Sequence, residues 1–367
     1  MPTTVVIGSN CFTGAHIVDA LLDDPSQRVV GISRSPQYKP IYLPYARHVM
    51  DCGGCDAALA CGGAALAPRK AKAVSQPPHS IADRFTFHQL DITNEFARLA
   101  QLLDTLQPEV VIHVAALSEV ALSTERPIEY FQTNTTAVAR LCDHLRRQRY
   151  LRHYVHISSA ELFGSCRGAV DESHPFNPST PYAVSKAAAD MFINTLIRHF
   201  NFPAILIRST NVYGRHQQLF KIIPRTAIYL KLGRTIELHG GGTSVKNFIH
   251  IRDVVRGLML ALQRGEPGTY HLSVPSDDTV ADVVRLVCRQ MGRDPDAATR
   301  VVGERLGQDA RYWLDCGKAK RELGWSPQVA FADGVQETID WIESQWETIQ
   351  HEPLNYEHKP LATGTTS

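Results

Sequence analysis

Short apolar runs rich in Val, Ile or Phe recur along the first two-thirds of the chain, at 4–7, 28–33, 84–90, 110–115, 153–158 and 204–208. Between most of them lie segments with apolar positions at helical spacing, such as 13–22 and 128–147. Strand-like runs alternating with helical ones predict right-handed βαβ units, hence an α/β fold with a doubly wound parallel sheet covered on both faces. Two stretches break the alternation. Residues 51–80 are rich in Gly, Ala and Pro without a period and read as a surface insertion between the second and third strands. The tail 347–367 is polar with scattered Pro and reads as disordered. Residues 214–245 and 266–346 do not continue the simple alternation, and they end in an amphipathic helix around 334–346. They predict a smaller, interleaved α/β domain beside a main body of 1–213 plus about 246–265.

Composition narrows the classes. The chain has 367 residues, a length suited to two domains. Its 38 Lys and Arg against 37 Asp and Glu leave a formal net charge of +1. That removes the broad field a nucleic-acid or acidic-membrane binder needs, though not a local cationic pocket. No run approaches the ~18 apolar residues of a membrane span, and the N-terminus lacks the cationic and apolar regions of a secretory signal. The eight cysteines are scattered in a chain too large to need disulfides, which predicts reduced thiols and a cytoplasmic protein. Cys52 and Cys55 form half of a zinc motif. Only Cys61 and His79 could complete it, in flexible sequence, so no metal is expected.

The first strand–turn–helix reads VVIGSNCFTGAHIV. Gly8 ends the strand and Gly14 opens the helix, with Asn10, Cys11, Phe12 and Thr13 between them. The first glycine allows a sharp turn and the last allows close helix–strand packing. Helix amides then meet a pyrophosphate. Cys11 stands where a middle glycine is common. The second strand ends Ser33-Arg34-Ser35, without the acid that holds the ribose hydroxyl of NAD. A carboxylate would repel a 2′-phosphate and Arg34 would attract it, so the cofactor is NADP or NAD, with NADP favoured. Asp91 and Ile92 end the third strand, where a side chain can meet the adenine amino group. Ala115 and Ala116 close the fourth strand with small residues.

Tyr182-Ala-Val-Ser-Lys186 opens a helical run. Positions four apart share a helix face, so phenol and ammonium can converge. A nearby ammonium and an oxidised nicotinamide both favour the phenolate, which predicts a general base tuned toward neutrality. Ser159, at the end of the fifth strand, is placed to bind the same substrate hydroxyl.

With these motifs the chain resembles an extended short-chain dehydrogenase/reductase of the nucleotide-sugar epimerase/dehydratase group, from about residue 4 to 346, with 51–80 unmatched. RSTNVYG (208–214), GGGTSVKNFIHIRDV (240–254) and ERLGQDARYWLDCGKAKRELGW (304–325) also carry the likeness, the last being especially similar to sugar-nucleotide 4,6-dehydratases. The resemblance implies a Rossmann domain for the cofactor and a smaller C-terminal domain for a nucleotide-diphosphate sugar. Tyr182 would take the C4 hydroxyl proton, Lys186 would bind the nicotinamide ribose and Ser159 would hold the hydroxyl. Glu161 would abstract the C5 proton before water leaves from C5 and C6. The triplet of such dehydratases, Thr-Asp-Glu or Thr-Ser-Glu, is here Ser159-Ala160-Glu161. Ala160 cannot donate the proton that the general-acid Asp supplies, which leaves Glu161 itself, Ser118, Glu119 or water. Ser118, Asn211, Arg225, Lys246 and Arg311 are the candidate substrate ligands, and Lys221 is a further candidate for the base pocket. The alternatives are an NDP-sugar 4-epimerase, which leaves Glu161 idle, a UDP-glucuronate decarboxylase, or a non-catalytic dinucleotide-binding protein. Relatives often form homodimers through two helices per subunit, here 128–147 and 181–200.

Overall fold

The computed structural model describes residues 1–50, 84–303, 311–356 and 358. The expected insertion at 51–80, with Cys52, Cys55, Cys61 and His79, lies outside the described residues. The strands are β1 (Thr3–Ile7), β2 (Arg28–Ser33), β3 (Phe85–Gln89), β4 (Val110–His113), β5 (His153–Ile157), β6 (Ala204–Ser209), β7 (Asn211–Tyr213), β8 (Ile236–His239), β9 (Phe248–His250), β10 (Gly268–Leu272) and β11 (Thr299–Val302). Seven of them form one sheet in the order β10-β6-β5-β4-β1-β2-β3, with every pairing parallel. The order reverses between β1 and β4, which opens a crevice at their carboxyl ends.

The longer helices are α1 (Phe12–Leu22), α2 (Phe96–Leu106), α3 (Ala137–Leu145), α4 (Pro181–Phe200), α5 (Ile222–Lys231), α6 (Ile251–Arg264), α7 (Val280–Gln290) and α8 (Phe331–Ser344). Alternate strand residues explain the two covered faces. Val6, Ile112, Val155 and Ile205 pack with Ile17, Val18 and Leu21 of α1 and Val254 and Leu258 of α6. Their neighbours Val5, Val111, Tyr154 and Leu206 face Leu99 of α2, Leu141 of α3 and Ile193 of α4. Each fully buried aliphatic side chain contributes about 1.5–3 kcal/mol by leaving water, so a sheet sealed on both sides makes a rigid platform. A separate core joins Ile223 and Ala227 of α5, Val284 and Val287 of α7, and Val335 and Ile339 of α8, beside the small parallel pair β8–β11. No helix among the described residues is long and apolar enough to cross a membrane.

Two placements differ from the expectation. β10 lies beyond the expected boundary at 266, yet it is the edge strand of the main sheet against β6. Its polar residues hid it: His271 is fully buried, with its amide donating to Glu172 and its ring 3.4 Å from Arg208 Nη1. The tail is also ordered further than its polarity suggests. Trp346–Ile349 is helical, Ile349 is fully buried, and Leu354 packs on the same core.

Candidate active site

The turn after β1 accounts for its own sequence. Gly8 has φ +94°, and an added Cβ would sit 2.5 Å from Ala115 N. A Cβ on Gly14 would sit 2.1 Å from Gly8 O. Neither position admits a side chain. Cys11 needs no glycine freedom, because its φ of −75° and ψ of 159° suit any residue. Its thiol caps α1 by accepting from Gly14 N at 3.3 Å, and burial pushes its pKa up to about 11. Asn10 N donates to Ser33 Oγ at 3.0 Å, and Asn10 Nδ2 donates to Ser35 O and Pro36 O, tying this turn to the loop after β2.

Above the turn lies a cleft of about 490 Å³ that includes Gly8, Asn10, Cys11, Arg34, Asp91 and Ile92, with Ala115, Ala116 and Ser118 along its far wall. Asn10 Oδ1 is buried beside it with no hydrogen-bond partner among the described residues. A shape cleared by two obligatory glycines, with helix amides at one side and a lone buried acceptor, fits a dinucleotide. Cys11, Ala116, Ser118, Gln218 and Lys221 are shared with a second cleft of about 380 Å³. That second cleft holds Phe12, Thr13, Ser159, Glu161, Tyr182 and Lys186, and also Asn211 and Lys246.

Tyr182 sits in the first turn of α4, started by Pro181 and by Thr180 Oγ1, which accepts from Ala183 N. One turn on, Lys186 is 2% exposed and donates to Ile157 O at 2.8 Å and to His156 Nε2 at 3.1 Å. Burial pulls the Lys186 ammonium down to about 8, opposed by the charge of Asp190. Ser159 lies at the end of β5 and accepts from Glu161 N, which sets Glu161 one residue beyond buried Ala160. The phenol of Tyr182 is pushed up, first by burial and then by Glu161, while a hydrogen bond with Ser159 opposes them. This is the reverse of the tuning expected from Lys186 alone. The ammonium is engaged by Ile157 and His156, and desolvation of the phenolate outweighs any help from it.

Sequence reasoning passed over several groups here. Asn134 lies in a π-helical turn, Gln132–Thr136, inside the helical run ahead of α3. Its amide group accepts from Leu117 N, donates to Leu117 O and reaches Ser185 Oγ, so it fixes the loop beyond Ala116. Tyr130 stands edge-on to Tyr182. By contrast Lys221 and Glu119, both singled out from the sequence, pair with each other at the junction of the clefts. Glu352, Pro353, Asn355 and Tyr356 border the first cleft from the far end of the chain. The π turn and the returning tail have no local sequence signature.

The candidate substrate ligands, Asn211, Lys246 and Arg311 for the phosphates and Arg225 for the base, are not all brought together. Lys246 lines the second cleft with its ammonium 4.6 Å from the Tyr312 ring centroid, and Asn211 is held by Asn247 O. Arg225 lines neither cleft; its guanidinium lies over Tyr229. Arg311 lines neither, is stacked on Trp313 and is paired with Asp277 at 2.6 Å. Helical direction and ion pairing with Asp277, neither visible in the motif, account for the difference.

A model of the GDP-mannose 4,6 dehydratase family matches residues 64–338. The dTDP-glucose 4,6-dehydratase of Mycobacterium tuberculosis (strain CDC 1551 / Oshkosh) is 33% identical over 281 residues, 74% of this chain and 82% of that protein. The dTDP-D-glucose 4,6-dehydratase of Homo sapiens is 30% identical over 283 residues, 74% and 79% of the two chains. Among solved structures, the dTDP-glucose 4,6-dehydratase DesIV of Streptomyces venezuelae, with NAD bound, superposes with a TM-score of 0.78 at 28% identity, covering 94% of this chain and 98% of its own. Because the family model spans well over half of the chain, these matches make it a member of the GDP-mannose 4,6 dehydratase family, a group of NAD(P)-dependent sugar-nucleotide enzymes.

Proposed function

We propose that this protein is a nucleotide-sugar 4,6-dehydratase that converts an NDP-hexose into an NDP-4-keto-6-deoxyhexose. One observation carries the reading: Ser159, Glu161, Tyr182 and Lys186 share a single cleft that joins the dinucleotide crevice. When bound, the nicotinamide supplies a reversible hydride acceptor and, oxidised, a positive ring that favours the phenolate. Tyr182 Oη takes the proton of the C4 hydroxyl, which Ser159 Oγ orients. Lys186 holds the nicotinamide ribose from its seat on Ile157 O and His156. The C4 ketone acidifies C5, and the Glu161 carboxylate, close enough to Tyr182 to perturb it, removes that proton. Elimination of the C6 hydroxyl then needs a proton that Ala160 cannot give. Lys246, Asn211 and Lys221 on the second cleft supply two cations and an amide for the diphosphate.

For the cofactor, NADP is favoured by Arg34 on the wall of the first cleft and by the absence of an acid after β2. Reduced thiols support a cytosolic placement: none of the described cysteines is in a disulfide. An NDP-sugar 4-epimerase is the second reading, and Ala160 is what favours it, since epimerisation needs no proton donor there.

The test uses a panel of nucleotide hexoses, read by mass spectrometry, with NADP and NAD supplied in turn. The wild type should lose one water from its substrate. Glu161→Gln should cut that product by at least about a hundredfold while transient reduction of the dinucleotide persists. Unchanged dehydration in Glu161→Gln rejects its role, and isomerisation without mass change selects the epimerase.

A further inference from the structure

The chain beyond α8 returns to the site that its first residues begin. After buried Ile349 it runs past the outer end of the first cleft, where Glu352, Pro353, Asn355 and Tyr356 face Arg34, Tyr38, Lys39 and Tyr42. Three attachments hold it there, on three different parts of the fold. The Glu352 carboxylate, only 7% exposed, pairs with Lys39 Nζ at 2.5 Å and accepts from Tyr42 Oη at 3.4 Å, both beyond β2. The Tyr356 ring meets Phe220, just before α5, edge-on with centroids 5.5 Å apart. His358 Nε2 lies 2.8 Å from Glu129 Oε2 on the short helix Pro127–Phe131.

The chemistry along this end of the cleft is that of an adenosine pocket. Ser33, Arg34, Asp91 and Ile92 stand at the ends of β2 and β3, the half of such a crevice that takes adenine and its ribose. The Tyr356 ring, 38% exposed, borders that end and would cover part of a bound ligand, and the Glu352 carboxylate, paired with Lys39, tethers its backbone. We propose that residues 352–356 are the outer wall of the adenosine end of the dinucleotide site, so that the cofactor, once bound, stays resident. This rests on the dinucleotide reading of the cleft. A dinucleotide can leave only after the Glu352–Lys39 and Tyr356–Phe220 contacts part. The proposed reaction returns its cofactor to the starting oxidation state in each turnover, so nothing in the cycle requires release.

The test needs no sugar substrate. NADPH and NADH, each bound to purified full-length protein, are displaced by excess oxidised dinucleotide, and the dissociation rate is followed by fluorescence. Tyr356→Ala and a chain ending at His351 should release the dinucleotide about tenfold faster or more, with the association rate changed far less. Circular dichroism and melting temperature establish that each variant is folded. Where the shortened chain does not fold, Tyr356→Ala decides. Unaltered dissociation in folded Tyr356→Ala overturns the wall. Gly8→Val, whose side chain collides with Ala115 N, separates the two readings. If the wild type binds and Gly8→Val does not, the cleft is the dinucleotide site whatever the tail does. If the wild type binds neither dinucleotide, wall and cleft readings fall together.

Discussion

Lys186 donates to a carbonyl and to an imidazole, and the counter-charge of Asp190 that supports it is itself paired with Arg208 at 2.9 Å. An ammonium in that setting is held by acceptors more than by charge. Because Lys186 donates to His156 Nε2, that nitrogen carries no proton and Nδ1 does, facing His113 Nδ1 at 3.3 Å and Tyr154 Oη at 3.4 Å. Burial keeps His156 and His113 far below their usual pKa, so both stay neutral acceptors or donors at working pH. The groups facing His156 are thus Lys186, His113 and Tyr154, with Asp190 at 4.0 Å. Removing an acceptor from the charged form disfavours it. His156→Leu should therefore take the Lys186 pKa below its value of about 8 and move the alkaline limb of activity to lower pH, with roughly tenfold lost at pH 8. His156→Gln, which keeps an acceptor, should restore part of it. A pH profile of the single-turnover rate measures this, and a limb that stays put in His156→Leu removes the role. Tyr182 and Lys186 were legible from four-residue spacing. The histidine pair beneath them was not, because it is assembled from β4 and β5, 43 residues apart in sequence.

The start of α4 is where local sequence and site geometry meet. Thr180 caps the helix, Pro181 fixes its first turn, and Tyr182 and Lys186 follow on the inner face with Ala189 and Ile193. Thr180→Ala leaves Ala183 N without its acceptor and should cost about 1 kcal/mol of stability. Because Tyr182 rides on that turn, the variant should lower kcat more than it raises KM; thermal melting and steady-state kinetics together read both effects. A kcat left intact would place the cap outside the chemistry. At this scale the apolar runs that mark β1, β2, β4, β5 and β6 were visible, since those strands are buried on both faces. β10 was not, because the partners that let Thr269 and His271 be buried, Lys318, Arg208 and Glu172, come from elsewhere in the chain.

At the scale of the molecule, an apolar face is open among the described residues. Ile128 is 68% exposed on the helix Pro127–Phe131, and Val184 and Met191 are 38% and 60% exposed one heptad apart on the outer face of α4. Opposite that face α4 carries Tyr182 and Lys186, so a partner docked there would brace the active site from behind. These are the two helical runs, 128–147 and 181–200, that the family resemblance assigns to a homodimer. Ile128→Glu with Met191→Glu should shift the protein from dimer to monomer in analytical ultracentrifugation at micromolar concentration. A wild type that sediments as a monomer at that concentration removes the dimer. The tail has a last consequence, concerning time rather than space. Gly8 and Asn10 precede Tyr356 by most of the chain, so the floor of the first cleft is translated well before the segment that borders its outer end. If residues 352–356 wall the site as proposed, a chain in which they are not yet made would exchange its dinucleotide faster than the finished one.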